Sequence, residues 1–116
     1  IRDGNYDAAE VGFKSFLSQY PDHALASNAQ YWLAETYYVR ANYTEAAKLF
    51  ATGYQEFPES SKSADNLLKL GLSLSKLGKT EDACLSFEQL KTQFPDETGP
   101  VMRRADQEIQ SLNCES

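Results

Sequence analysis

The sequence predicts an all-α fold, a right-handed solenoid of antiparallel helix pairs closed by a C-terminal capping helix. Three observations carry this. The chain repeats itself at an interval of 37 residues, its apolar residues recur at helical spacing, and no stretch alternates as a half-buried strand does. Three segments align: "GNYDAAEVGFKSFLSQYPD" from Gly4, "ANYTEAAKLFATGYQEFPE" from Ala41 and "GKTEDACLSFEQLKTQFPD" from Gly78. Each closes on an aromatic-Pro-acid triplet, Tyr20-Pro21-Asp22, Phe57-Pro58-Glu59 and Phe94-Pro95-Asp96. Proline just past a last turn cannot continue a helix, so each triplet marks a stop.

The first repeating segment predicts a B-type helix over roughly Tyr6 to Gln19, within a truncated repeat spanning 4–21. No A-type helix precedes it, and "IRDG" reads as the tail of one. Ala9, Phe13 and Phe16 would then lack part of their cover, which predicts self-association or end-fraying through this uncovered helix. A second repeat over 27–58 begins with "SNAQYWLAETYYVRA", whose Ala29, Leu33, Ala34 and Tyr37 form one stripe. Its B helix carries Ala46, Phe50 and Phe57. A third repeat over 64–95 pairs "SADNLLKLGLSLSKLG", with Leu67, Leu70, Gly71 and Leu74, against a helix bearing Ala83 and Phe87. The last helix, over 100–113, turns Val101, Ala105, Ile109 and Leu112 inward. Its Arg103, Arg104, Asp106, Gln107, Glu108 and Gln110 face water as a solvating cap. The whole chain, 1–116, reads as a single domain.

Small residues explain how such pairs close up. Ala46 and Ala83 on the B helices, with Ala34 and Gly71 on the A helices, allow close approach, and Phe50 and Phe87 fill the space beside them. The pattern L-G/A-x-x-Y…A-x-x-x-F…P resembles the tetratricopeptide repeat (TPR) family. It occurs here as Leu33-Ala34-Tyr37-Ala46-Phe50-Pro58 and Leu70-Gly71-Leu74-Ala83-Phe87-Pro95. The period exceeds the family's usual ~34 residues, and the extra length falls in the loops after Pro21, Pro58 and Pro95.

Composition narrows the function. A formal net charge of −6 argues against nucleic acid, whose phosphates want a Lys/Arg face, and against an anionic membrane surface. Apolar runs are too short to span a bilayer. The chain opens at Ile1 without a methionine, which reads as an excised fragment. His23, the single histidine, sits in a loop, so neither a His-based zinc site nor a catalytic triad has partners. Asn42 opens an N-glycosylation sequon that falls in a repeat turn. No enzyme, no metal and no cofactor is expected.

What remains is a binding surface. Counting along the A helices at i, i+3, i+7 and i+10 gives groove-facing Asn28, Tyr31, Glu35 and Tyr38 with Val39 beside them. The same places in the third repeat are Asp65, Leu68, Leu72 and Ser75, with Lys76. Trp32 stands at the border between groove and core, and packing is the commoner role for an aromatic at helical spacing. Tyrosine suits such a groove because it offers large, rigid, amphipathic area at low entropic cost. Glu35 and Asp65 would favour basic partners, and Leu68 and Leu72 an extended peptide or an amphipathic helix. The Lys/Asn set of carboxylate-clamping repeat chaperones is missing.

Cys84 lies near the start of the last B helix and Cys114 just beyond the cap, eleven residues before Pro95 and fourteen after Pro100. An antiparallel hairpin with ~1.5 Å rise per residue brings the two to similar heights. That spacing favours a disulfide over two unrelated thiols, and such a bond suits an oxidising compartment. No CxxC spacing supports a redox-active role.

"YPDHALASNA", "NAQYWLAETYY", "SADNLLKLGLSLSKLG" and "EDACLSFEQL" together resemble the C-terminal repeat domain of the periplasmic Tol-Pal accessory family (YbgF, or cell division coordinator CpoB) over nearly the whole chain. The missing first A helix is the main departure. The resemblance implies a periplasmic adaptor that binds TolA, and possibly a peptidoglycan-synthase complex, linking outer-membrane constriction to septal synthesis at cell division. It also implies an N-terminal signal peptide and trimerising coiled coil in the full-length protein. The alternative is a repeat scaffold of an outer-membrane protein or lipoprotein assembly machine, which would need a lipidated N-terminal cysteine and more repeats.

Overall fold

A computed structural model describes residues 5–114. Six helices follow one another: α1 (Tyr6–Gln19), α2 (Ala26–Val39), α3 (Tyr43–Glu56), α4 (Ser63–Lys76), α5 (Thr80–Gln93) and α6 (Pro100–Ser111). No strand occurs among the described residues. The "IRDG" segment read as the tail of a preceding helix lies outside them.

The 37-residue period has a simple mechanical content. Each A helix (α2, α4) and each B helix (α3, α5) is 14 residues long. The A-to-B turns, at 40–42 and 77–79, are short, and the B-to-A connections run over 57–62 and 94–99. Ala41 and Gly78 occupy equivalent places in the short turns, and both take left-handed backbone, with φ of 64° and 77°. The turn closes the same way twice: the Asn42 N–H donates to the Tyr37 carbonyl and the Lys79 N–H to the Leu74 carbonyl, each at 2.9 Å. This is the arrangement that ends a helix on a left-handed residue. Glycine adopts that conformation without penalty, whereas Ala41 is strained there. At the B-helix ends, the backbone N–H groups of Tyr20, Phe57 and Phe94 donate to Phe16, Gly53 and Leu90, and the following proline stops the helix.

Packing follows the small-residue logic. Ala34, Ala46, Phe50, Ala83, Phe87, Leu90 and Ala105 are fully buried. Tyr31, Ala34, Ala46 and Phe50 make one cluster between α2 and α3. Ala83, Phe87 and Leu90 of α5 join Leu67, Leu68 and Leu72 of α4 and Ala105 of α6 in the other. The glycine at 71 is required by proximity: a Cβ there would meet the Phe87 ring at 2.5 Å. Hydrogen bonds repeat too. The Gln30 amide donates to the Leu49 carbonyl at 2.9 Å, and one period later the Ser86 hydroxyl donates to the Leu67 carbonyl at 2.8 Å.

The ends differ from the middle. Among its residues α1 buries none fully and is held to α2 at one edge by Arg40, which reaches Glu10 at 2.8 Å and Asp7 at 3.0 Å. Arg40 is itself fixed by donating to the Thr36 carbonyl and by lying 4.9 Å from the centre of the Tyr37 ring. At the other end α6 buries only Ala105 completely, and Cys84 is bonded to Cys114 across a Cα–Cα distance of 5.6 Å. Closing a loop of this size contributes about 3–4 kcal/mol in the chain-entropy account. The cap is therefore pinned covalently where its apolar contact is thin.

Candidate functional site

Helices α2 and α4 lie side by side along the A-helix face, joined by cations of one resting on aromatics of the other. Lys62, just ahead of α4, places its ammonium 4.8 Å from the centre of the Tyr31 ring and 5.2 Å from that of Trp32. Seven residues on, Lys69 stands 4.5 Å from the Tyr38 ring centre and donates to a Glu35 carboxylate oxygen at 3.2 Å. The other oxygen, Glu35 Oε1, is buried with no hydrogen-bond partner. Such an atom costs about 1–3 kcal/mol of lost hydration. The face is a ladder of alternating aromatic and charged groups, each rung spanning two helices.

Electrostatics fit the geometry. Burial, then the carboxylates of Glu35 and Asp65, raise the Tyr31 hydroxyl above the ordinary tyrosine range. Burial also raises that of Tyr38; neighbouring Tyr43 adds to it, and Arg104 of α6 opposes it. Both hydroxyls stay protonated, so the ladder offers neutral donors and aromatic faces beside cationic Lys62 and Lys69.

The groove register needs correction at three of its residues. Tyr31 is only 8% exposed, its ring packed 5.7 Å from that of Phe50. Leu68 and Leu72 are buried at 8% and 5%, in the cluster that α6 covers with Ala105, Val101 and Met102. The reason is that Phe50 and Ala46 of α3 take Tyr31 into the core, and α5 and α6 take in Leu68 and Leu72, so the register that points at the groove also points at packed neighbours. Tyr38 is half-buried between Phe50 and Tyr43. Trp32, at the border, is 40% exposed. Glu35 and Asp65 are half-buried and Val39 and Lys76 exposed, and Glu35 is already paired with Lys69. Asn28 belongs elsewhere: it lines an apolar groove between α1 and α2. Lys62 and Lys69 were missed. Their signal was present, since they stand seven residues apart on one helical face and one period after Leu25 and Trp32.

The repeat register, the small residues at the crossings and the helix lengths agree with one family. The tetratricopeptide repeat model matches residues 28–60 and 65–97, more than half of the chain. The chain belongs to the tetratricopeptide repeat family. Comparison with the curated proteins finds no match. A TPR assignment makes this domain a protein–protein interaction module, a class that is typically non-catalytic. Among the described residues no helix is long and apolar enough to cross a membrane.

Proposed function

We propose that this TPR domain is a non-enzymatic periplasmic adaptor of the Tol-Pal system that captures a segment of TolA on its A-helix face, coordinating outer-membrane constriction with septal peptidoglycan synthesis. The observation that carries the reading is the ladder itself. Trp32 and Tyr38 offer aromatic faces beside Lys62, Lys69 and Asp65, a mixed surface on which a peptide gains apolar contact and charged register together. The resemblance of "NAQYWLAETYY" and its neighbours to the Tol-Pal accessory family supports the choice of partner. The Cys84–Cys114 disulfide supports an oxidising compartment such as the periplasm.

Calorimetric titration of the domain with a soluble TolA fragment tests this. Trp32→Ala and Lys69→Ala should each weaken binding about tenfold or more, the size expected of central anchors, with the circular dichroism of the domain retained. Unchanged affinity in both variants would remove the ladder from the binding site, and no heat of binding would remove TolA as the partner.

A further inference from the structure

α6 follows α2 and α4 in the succession of A-type helices, yet it is held differently. α2 and α4 bury residues along most of their length, whereas α6 buries only Ala105 completely. The stripe formed by Leu33, Ala34 and Tyr37 in α2, and by Leu70, Gly71 and Leu74 in α4, becomes Gln107, Glu108 and Ser111 in α6. That flank is too polar to receive a B helix. Its other side rests on the cluster that holds Leu68 and Leu72, through Ala105 and the half-buried Val101, Met102 and Ile109. One ion pair, Lys91 to Asp106, joins it to α5, and both side chains are about half exposed, so the pair adds little. Two covalent ties complete the attachment. Gly99, with φ of 90°, leads into α6 in a backbone that glycine adopts readily, and the Cys84–Cys114 bond holds the far end. With that bond cut, α6 can swing about the glycine.

The bond is within reach of a reductant. Both cysteines are half-buried and line an open hollow of about 300 Å³, together with Glu81, Leu85, Glu88 and Leu112. Leu85 is 63% exposed. What α6 covers lies beside the ladder. Leu68 immediately precedes Lys69, and Tyr38 packs against the cluster that contains Leu68 and Leu72. The charges of Arg104 and Glu108 in α6 reach the Tyr38 hydroxyl.

We propose that Cys84–Cys114 is a reducible latch, a substrate site for the dithiol of a thiol–disulfide oxidoreductase, whose opening swings α6 away and adds Leu68 and Leu72 to the docking face. The bond is the substrate of exchange and not its catalyst, so it needs no CxxC spacing. One thiolate of the dithiol attacks a sulfur of the bond, forming a mixed disulfide and expelling the other cysteine as a thiolate that takes up a proton. The second sulfur of the dithiol, giving up its proton, closes on the mixed disulfide and releases the remaining cysteine, which is protonated in turn. The dithiol is thereby oxidised to a disulfide, and Cys84 and Cys114 are reduced to thiols. Glu81 and Glu88 repel an anionic thiol, whereas Leu85 and Leu112 offer an apolar seat. The fitting enzyme therefore carries an apolar and basic rim around its reactive cysteine. The added docking face rests on the proposed capture of TolA by the ladder, while the latch stands on α5 and α6 alone.

The test follows isotope-labelled leucine methyl groups by NMR in the presence of a neutral gadolinium chelate, which broadens only methyls that meet solvent. In the oxidised 116-residue chain the Leu68 and Leu72 signals should stay sharp. With dithiothreitol they should broaden, while far-UV circular dichroism keeps the signal of α1 to α5. The double variant Cys84→Ser, Cys114→Ser should show the same broadening without reductant. A soluble TolA fragment should bind the reduced chain about tenfold more tightly than the oxidised one, the change that burying one leucine supplies. Sharp Leu68 and Leu72 signals in the reduced, folded chain would overturn the latch. Loss of the whole helical signal on reduction would overturn it too, by making the bond a plain structural staple. Broadened signals with equal TolA affinity in both states would overturn its role in docking. Binding of TolA to neither state would remove TolA as the partner, with the methyl signals still deciding the latch.

Discussion

Gly71 faces the ring of Phe87 so closely that a methyl group added to it would lie 2.5 Å from Cε1, 2.7 Å from Cζ and 2.8 Å from Cδ1. Both residues are buried and the ring is fully enclosed, so it has no free space to move into. Gly71→Ala therefore sets two effects against each other. Alanine improves helix propensity by about 1 kcal/mol, while overpacking a closed core costs about 1–3 kcal/mol. The contact wins. The variant should melt several degrees below the parent in a thermal scan followed by circular dichroism.

Ala41 supplies the opposite case. It occupies the left-handed turn position that Gly78 fills in the next repeat, with φ of 64°, and it is exposed. Ala41→Gly removes a backbone strain of roughly 1–2 kcal/mol, partly offset by the greater freedom of glycine in the unfolded chain. The expected outcome is a net gain of up to about 1 kcal/mol, read from chemical denaturation. A loss would show that the turn is not strained.

The attachment of α1 should depend on pH. Hydrogen bonding from Arg40, then from Lys14 and Tyr37, holds the Glu10 carboxyl at about 2, below its ordinary value of 4.5. A lowered carboxylate stabilises the fold above its unfolded value, and that contribution is lost as pH falls through the folded one. The ion pair of Arg40 with Asp7, whose side chain is 97% exposed, is screened by water and holds the edge only weakly. Between pH 4.5 and about 2 the α1–α2 edge should loosen while α3–α6 persist. Amide exchange in α1 should rise over that window, and Glu10→Gln should already exchange quickly at neutral pH. Identical profiles for parent and variant would mean that the pair does not hold α1.

The disulfide carries a separate prediction. With α6 burying only Ala105 completely, reduction of Cys84–Cys114 should release the cap before the remaining repeats unfold. The loss of about 3–4 kcal/mol from loop constraint should lower the main transition. Exchange protection should vanish first over Val101–Leu112.

Much of the fold was legible because its cause is local and repeated. Ala46 and Phe50, Ala83 and Phe87, Pro58 and Pro95 keep register over 37 residues, and Cys84 and Cys114 fall at matching heights by helical rise alone. The candidate site was harder to read. A helical count gives the angle of a residue about its own axis but not the distance to the neighbouring A helix. Tyr31 is buried against Phe50, and Leu68 and Leu72 in the cluster with α5 and α6, while Trp32, one position on, stays 40% exposed. Lys62 and Lys69 escaped because each acts on the preceding repeat, through Tyr31, Trp32, Glu35 and Tyr38. A contact between repeats is invisible to the periodicity of either.

The central claim is that the A-helix ladder captures TolA, and backbone amide shift mapping with a soluble TolA fragment tests it most directly. The account predicts perturbations clustered at Trp32, Glu35, Tyr38, Lys62, Asp65 and Lys69. Shifts confined to α1 and the edge of α2 near Ala9 and Leu25, or no shifts at millimolar TolA, would contradict it.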